Sequence, residues 1–291
     1  MGMQDKMHKG LLHSFFSGRI NELPGNFEQR LFKLITLPNG TTKNTYTGRL
    51  KTLDSFVMPN LPKSAHIEIK DIAASSGIST LEWAKQLEEN RIAVSITATD
   101  LYIDAFLVMN PSWSMLCDQQ LNPLLVEKAN SLFRTSFPTG SMRHGLGKIL
   151  SKAIKAIWIN EKTRKESESK EQSNSVLRVE LLSPAVKNSK TISFIEEDIL
   201  LPPSKNEIEK YNVIRAANIL NNVYFDEQRL KNIVSNLFLQ LKPGGLLIVC
   251  KTDDAGINHA SLFTKKEKQF SLLEDMNGGS EIKNTVLGFS S

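Results

Sequence analysis

The sequence predicts an α/β fold built on a mostly parallel sheet, and three observations carry that expectation. Residues 66–100 read as strand, small-residue turn, helix, strand: 66–72 (HIEIKDI) alternates apolar and polar, 73–77 (AASSG) is a turn, 78–90 has helical spacing, and 94–100 (VSITATD) ends in an acid. Such a unit favours parallel strands joined by a right-handed crossover. The rhythm returns nearer the C-terminus, where 191–195 and 213–216 read as strands and 226–241 as an amphipathic helix. Finally, 246–250 (LLIVC) is an unbroken apolar run, as a parallel strand buried on both faces requires.

Taken in order, residues 1–25 hold short apolar clusters and close at Leu23-Pro24-Gly25, 26–36 form a short amphipathic helix, and 37–48 are turn-rich. In the helix at 78–90, Leu81, Trp83, Ala84 and Leu87 supply the buried side, while Glu82, Lys85, Gln86 and Glu89 face water. Beyond Asp100, 102–109 and 114–117 read as a hairpin around Asn110-Pro111. Residues 141–158 are helical, with Leu146, Ile149, Leu150, Ala153, Ile154, Ile157 and Trp158 on one stripe, and 160–175 have no apolar residue and read as an exposed loop. A helix is expected at 176–186, an N-cap at Asp226 and a sharp turn at 242–245 (KPGG). Two more strands, 260–263 and 269–273, flank a charged turn. The expected organisation is an N-terminal helical or irregular extension (1–65), a domain in two parts (66–100 and 176–291), and an insertion (101–175) after the second strand.

Composition narrows the function classes. The chain has 291 residues, and with 40% hydrophobic and 23% charged residues it can bury a sizeable core. A net charge of +5 gives no strong nucleic-acid or membrane signal. Cys117 and Cys250 make no CxxC pair, and the five histidines form neither an HExxH motif nor a Cys/His cluster, so no protein-bound metal is expected. Without a signal-peptide pattern or a run as long as a transmembrane helix, the expected setting is the cytoplasm.

The chemistry-bearing residues recur at strand ends. Asp71–Gly77 closes a strand and opens a helix, so its small side chains let a ligand approach the backbone, and the helix N-terminus favours anionic groups. Asp100 ends the second strand, where an acid accepts hydrogen bonds from ribose hydroxyls, and Asp198 follows the third, where an acid can meet an adenine amino group. A strand running into Arg215–Asn218 and the turn before 246–250 complete the series, which belongs at the carboxyl edge of one sheet. The absence of GxGxxG argues against a nicotinamide enzyme.

From about residue 66 to 250 this series resembles the class I S-adenosylmethionine-dependent methyltransferases. The family's glycine-rich first motif corresponds to Asp71, Ala73, Ser75 and Gly77, its ribose-binding acid to Asp100 with Leu101 beside it, and its adenine-contacting acid to Asp198 with Ile199 beside it. Its fourth motif corresponds to 211–220 (YNVIRAANIL), including Asn218, and the turn before its fifth strand to 241–245 (LKPGG). Two pieces, 74–77 (ASSG) and 217–220 (ANIL) with the following Tyr224-Phe225-Asp226, resemble the chemotaxis-receptor glutamate methyltransferases. There the match is partial, because Ala217 stands in place of the usual arginine and Ile78-Ser79 in place of Glu-Glu. The resemblance implies a Rossmann-like, doubly wound, seven-stranded sheet, S-adenosylmethionine as cofactor, and methyl transfer to a nucleophilic O, N or C of a small molecule or protein. Tyr102, Arg215 and Asn221 are the candidates for the acceptor side, and no residue is required as a catalytic base. Only Gly77 is a glycine in the first motif; Ala73 and Ser75 favour negative φ, which implies a less permissive turn. Two rival readings are a chemotaxis-type protein-carboxylate methyltransferase, which needs a basic groove for an acidic peptide, and a non-catalytic cofactor-binding or scaffold module, which would show no turnover.

Overall fold

Most helices and strands form where the periodicity places them, and the computed structural model describes residues 10–135 and 176–291. From the N-terminus, α1 (Leu11–Phe16), α2 (Phe27–Leu34) and α3 (Lys51–Val57) precede β1 (Ile67–Ile72), α4 (Ile78–Glu89) and β2 (Val94–Asp100). Then come β3 (Asp104–Asn110), β4 (Trp113–Cys117), β5 (Pro123–Lys128), β6 (Ser131–Arg134) and, beyond the gap, β7 (Val176–Glu180). The chain ends with β8 (Ile192–Glu196), β9 (Tyr211–Ala217), α5 (Glu227–Gln240), β10 (Leu241–Thr252), β11 (Asn258–Lys265), β12 (Phe270–Met276) and α6 (Lys283–Leu287). The helix expected at 141–158 and the polar loop at 160–175 lie outside the described residues.

The elements form two units. One consists of Tyr46–Leu101 and Asn188–Ser291 and holds a seven-stranded sheet in the order β12-β11-β10-β9-β1-β2-β8. β10, β9, β1, β2 and β8 are mutually parallel; β11 and β12 form an antiparallel meander at one edge. From β1 the order runs outward through β2 to β8 in one direction and, starting again at β9, through β10 in the other. The gap between β1 and β9 is therefore the switch point at which open α/β sheets take ligands beyond their carboxyl ends.

Both faces of this sheet are covered. Leu246, Ile248 and Cys250 point to the face packed by Leu53 and Val57 of α3 and by Trp83, Ala84 and Leu87 of α4. Leu247 and Val249 point to the opposite face, with Leu230, Ile233, Val234 and Leu237 of α5 and Val286 of α6. The apolar run in β10 is thus shared between two cores by simple alternation. Asp226 caps α5 by accepting the Arg229 N–H at 2.8 Å. The sharp turn expected at 242–245 lies within β10 as an irregularity of the strand, with Gly244 at φ 74° and the register against β9 jumping from Leu241↔Tyr211 to Leu246↔Val213.

The second unit comprises residues 10–45, 102–135 and 176–187, with a five-stranded antiparallel sheet ordered β6-β5-β4-β3-β7. Leu12 and Phe15 of α1 and Leu31 and Phe32 of α2 pack on Leu107, Leu116, Leu125 and Val179. The fully buried Glu127 of β5 receives the N–H groups of Leu11 (2.6 Å) and Leu12 (3.0 Å), so its carboxylate caps the amino end of α1.

Two sequence expectations are corrected here. Residues 176–186 are not a helix: they form β7, antiparallel to β3, followed by a 3₁₀ turn at Pro184–Val186. Val176 and Val179 suit a strand, Arg178 grips Asp104 of β3 with both Nε (3.2 Å) and Nη2 (2.7 Å), and Pro184 prevents continuation of a helix. The boundaries also move. The extension assigned to 1–65 divides after residue 45, because Leu50, Leu53, Val57 and Leu61 pack into the parallel-sheet core while 10–45 pack on the antiparallel sheet. Residues 176–187 group with the antiparallel sheet.

Candidate functional site

The turn after β1 has an unusual backbone. Ala73, Ser75 and Gly77 have φ of 55°, 58° and 81°, all in the left-handed region. Glycine enters that region freely, whereas each non-glycine residue there costs about 1–3 kcal/mol unless its surroundings hold it. The sequence implied that Ala73 and Ser75 would resist this conformation; the structure has them in it. Three hydrogen bonds hold the turn: the N–H of Ala74 to the Thr99 carbonyl (2.9 Å), that of Gly77 to the Ala74 carbonyl (2.9 Å), and that of Ser75 to Asp100 Oδ2 (2.8 Å). Gly77 is the N-cap of α4 and has no side chain with which to cap it. The hydroxyls of Ser76 and Thr99 are buried and have no hydrogen-bond partner among the described residues.

Several residues singled out in the sequence meet at this edge. Asp100 closes β2, is largely buried and bonds the turn directly. The Glu197 N–H donates to the Asp100 carbonyl at 3.0 Å, bringing the segment after β8 alongside. Within that segment Asp198 is half-buried; its Oδ1 accepts the Leu200 N–H (3.0 Å), and Asn236 of α5 pins the loop through the carbonyls of Ile199 (3.2 Å) and Leu201 (2.9 Å). Ile199 packs on the core that contains Ile72 and Leu220. Asn218, left-handed at φ 62°, turns its amide onto β10: Oδ1 accepts the Thr252 N–H (2.7 Å) and Nδ2 donates to Thr252 Oγ1 (3.2 Å). Leu101 is exposed, and Tyr102 opens the other unit, packing on its apolar core.

Three residues stand differently from what the sequence suggested. Arg215 was a candidate for the acceptor side, yet it is 1% exposed. It donates from Nε to Asp71 Oδ1 (2.9 Å), from Nη2 to Asp71 Oδ2 (2.6 Å) and from Nη1 to Asp54 Oδ1 (2.7 Å), with Cζ 4.2 Å from the centre of the Trp83 ring. Burial lowers its pKa, but the Asp71 and Asp54 carboxylates outweigh that and hold it above the usual arginine value. Asp71 is buried too, and its Oδ2 also receives the Thr80 hydroxyl at 2.5 Å, so its carboxylate serves the protein interior. Asn221 spends its amide within its own loop, accepting from Val223 (3.0 Å) and Tyr224 (3.1 Å) and donating to the Ile219 carbonyl (3.2 Å).

Sequence reasoning missed Asp54, Thr80 and Lys70. Asp54 lies beside the stripe Leu50, Leu53, Val57, a helical spacing that was the available signal. Burial, and next to it the neighbouring Asp71 charge, push Asp54 up to about 6 against the pull of Arg215. Lys70, wholly buried, bonds Glu197 (2.5 Å), Glu207 (3.1 Å) and Gln240 (2.7 Å), which commits Glu197 and leaves Asp198 as the acid of that loop directed elsewhere.

Among the described residues no cluster of three or more His, Cys, Asp or Glu side chains could hold a metal ion, and no helix is long and apolar enough to cross a membrane. A cleft of about 220 Å³ lies in the antiparallel unit, lined by residues such as Phe15, Phe16, Leu182 and Lys187, and includes none of the strand-end residues.

No protein-family model matches the sequence, and no curated protein matches it. Among solved structures, the CMeT domain of the citrinin polyketide synthase is 14% identical, with 70% of this chain and 35% of that chain covered and a TM-score of 0.34. A SAM-dependent methyltransferase from Methanosarcina mazei is 14% identical over 67% of this chain and 56% of that one, with a TM-score of 0.31. A protein from Pyrococcus horikoshii is 13% identical over 86% and 83%, with a TM-score of 0.36. This chain thus spans between about a third and just over half of the first two.

Proposed function

We propose that this chain is an S-adenosylmethionine-dependent methyltransferase with a Rossmann-like parallel sheet. The observation that carries the reading is the left-handed turn Ala73–Gly77, joined to the carboxylate of Asp100 at the switch point of the sheet. The residues present fit the cofactor. A backbone bent through three left-handed positions, with only small side chains, leaves room for close approach of a nucleoside and its amino-acid tail. The uncapped amino end of α4 suits a carboxylate, Asp100 suits the ribose hydroxyls, and the buried Ser76 and Thr99 hydroxyls are polar groups in want of a partner. Asp198 and Ile199 would flank the base, Asp198 as acceptor and Ile199 as apolar floor, and Asn218 would border the site from β9. Asp71 belongs to this site through the turn it supports.

When bound, the cofactor supplies a methyl group already activated by its sulfonium. The protein's part is to orient the acceptor in line with that methyl and to exclude water. The decisive experiment is calorimetry with S-adenosylhomocysteine, with one site per chain expected. Asp100→Asn keeps an oxygen for the Ser75 N–H but removes the charge, and binding should weaken roughly 10-fold; Asp100→Ala loses both and should weaken it up to about 100-fold. No heat from the wild type at millimolar ligand overturns the reading.

A further inference from the structure

We infer that Arg215, Asp54 and Thr80 are positioning residues that set the turn Ala73–Gly77 through Asp71, without touching a ligand themselves. The inference rests on the proposed cofactor site and adds to it the device that holds its most demanding backbone.

The argument is one of connectivity. Asp71 lies two residues before the first left-handed position, and Thr80 three residues after the last. The Thr80–Asp71 hydrogen bond of 2.5 Å therefore ties both ends of the turn to one carboxylate. That carboxylate must itself be fixed if it is to fix the turn. Asp71 and Arg215 are register partners on adjacent strands, and the guanidinium takes both Asp71 oxygens in a two-pronged pair, the geometry that leaves a carboxylate least freedom to rotate. Arg215 is in turn held by Asp54 of α3 and stacked on the Trp83 ring of α4. Four elements thus converge on the guanidinium, and their combined constraint reaches the turn through a single oxygen, Asp71 Oδ2.

Stability alone is a poor reason for such a cluster. A buried ionic group is commonly replaced by well-packed apolar residues with no loss, and here two carboxylates compete for one guanidinium. What apolar side chains cannot supply is direction. Without the Thr80 bond the start of α4 is free to shift against β1, and Ala73 and Ser75 can relax toward negative φ, which draws the Ser75 N–H away from Asp100.

The test uses Thr80→Val, nearly isosteric and without the hydroxyl, and Thr80→Ser, which restores it. In the ligand-free full chain, amide hydrogen exchange at Ser75 should be roughly tenfold faster in Thr80→Val than in the wild type or Thr80→Ser. Titration with S-adenosylhomocysteine should show about tenfold weaker binding for Thr80→Val and rescue to within about twofold for Thr80→Ser; Thr80→Val also lowers the unfolding temperature, because the buried Asp71 carboxylate loses a donor, and Thr80→Ser restores it. Arg215→Lys, which keeps the charge but not the fork, should repeat the Thr80→Val pattern wherever it folds. Unchanged exchange at Ser75 in Thr80→Val overturns the inference, as does loss of affinity that Thr80→Ser fails to rescue. A wild type that does not bind overturns the cofactor reading and with it any role toward a nucleoside, while the exchange arm still decides whether the clamp sets the turn.

Discussion

Asp54→Asn separates the electrostatic cost of the buried cluster from its geometry. Asp54 is 2% exposed, and its carboxyl is pushed from 3.8 to about 6, first by burial and then by the Asp71 charge beside it, with Arg215 pulling the other way. Arg215 engages Asp71 through two nitrogens and Asp54 through one, so Asp54 is the carboxylate left undercompensated. A shift of about two pH units corresponds to roughly 3 kcal/mol. Its sign follows from proton binding. Between pH ~4 and ~6 the folded chain holds a proton at Asp54 that the unfolded chain has released, so stability falls as pH rises through that window, and the cost persists above it. Asparagine accepts the Arg215 bond without the charge. At pH ~4 variant and wild type should unfold within about 1 kcal/mol of each other, and by pH ~7.5 the variant should be the more stable by up to ~3 kcal/mol, roughly 6–12 °C for a unit of this size. Parallel unfolding curves from pH ~4 to ~8 give the answer as a difference in which the other carboxylates cancel. A difference that does not change with pH, or a wild type that gains on the variant as pH rises, would refute the reasoning, because Asp54 would then be a stabilised carboxylate in the fold.

Two further outcomes concern other parts of the chain. Glu127→Ala strips the acceptor from the N–H groups of Leu11 and Leu12 inside the antiparallel unit and should destabilise that unit by about 1–3 kcal/mol, read as earlier exchange of the α1 amides. His259 on β11 lies with Nδ1 2.6 Å from the Asn277 carbonyl and Nε2 3.1 Å from the Asp253 carboxylate; both partners only accept, which favours the doubly protonated ring and raises its pKa, Asp253 contributing most. That contribution is present at pH below the unfolded histidine value and is lost as pH rises through the higher folded one, so an NMR titration should place His259 above 6.5 and Asp253→Asn should lower it; a titration at or below 6.5 would remove the clamp.

The parallel-sheet unit was legible because its signals are local. The alternation of 66–72, the helical spacing of 78–90 and the apolar run 246–250 each settle an element within a dozen residues, and the observed bounds Ile67–Ile72, Ile78–Glu89 and Val94–Asp100 stay close to the expected ones. Where the decision was non-local, it failed. Val176–Glu180 has enough apolar residues for either state, and what makes it a strand is the edge of β3, some seventy residues earlier. The same holds for residues 10–45, whose apolar clusters announce a core but not which one. At the strand ends, the sequence did not show what Asp71, Arg215 and Asn221 face. Asp71 and Arg215 are both polar residues on strands that end at the ligand edge, and only the register Asp71↔Arg215 shows that they face each other. Asp54 and Thr80 carry no motif; each becomes meaningful only once α3 and α4 are packed on the same face of the sheet.

That pattern bears on how the turn tolerates its own sequence. A first motif with glycine at each left-handed position needs no external restraint, since glycine adopts positive φ without strain. Here two of the three positions are alanine and serine, and the conformation persists all the same. Strain of this kind survives where neighbours over-determine it. The over-determination is visible: Asp100 holds the turn from the β2 side through Ser75, and Asp71, locked by Arg215, holds the start of α4 through Thr80. The non-glycine residues at left-handed positions and the buried charge cluster are then two sides of one arrangement. A turn that glycine would shape from within is shaped from outside by four elements meeting at one guanidinium, and the undercompensated Asp54 carboxylate is the stability given up for that geometry. Placing glycine at positions 73 and 75 should accordingly make the turn less dependent on Thr80, read as a smaller effect of Thr80→Val on Ser75 amide exchange, because the conformation would no longer need to be imposed.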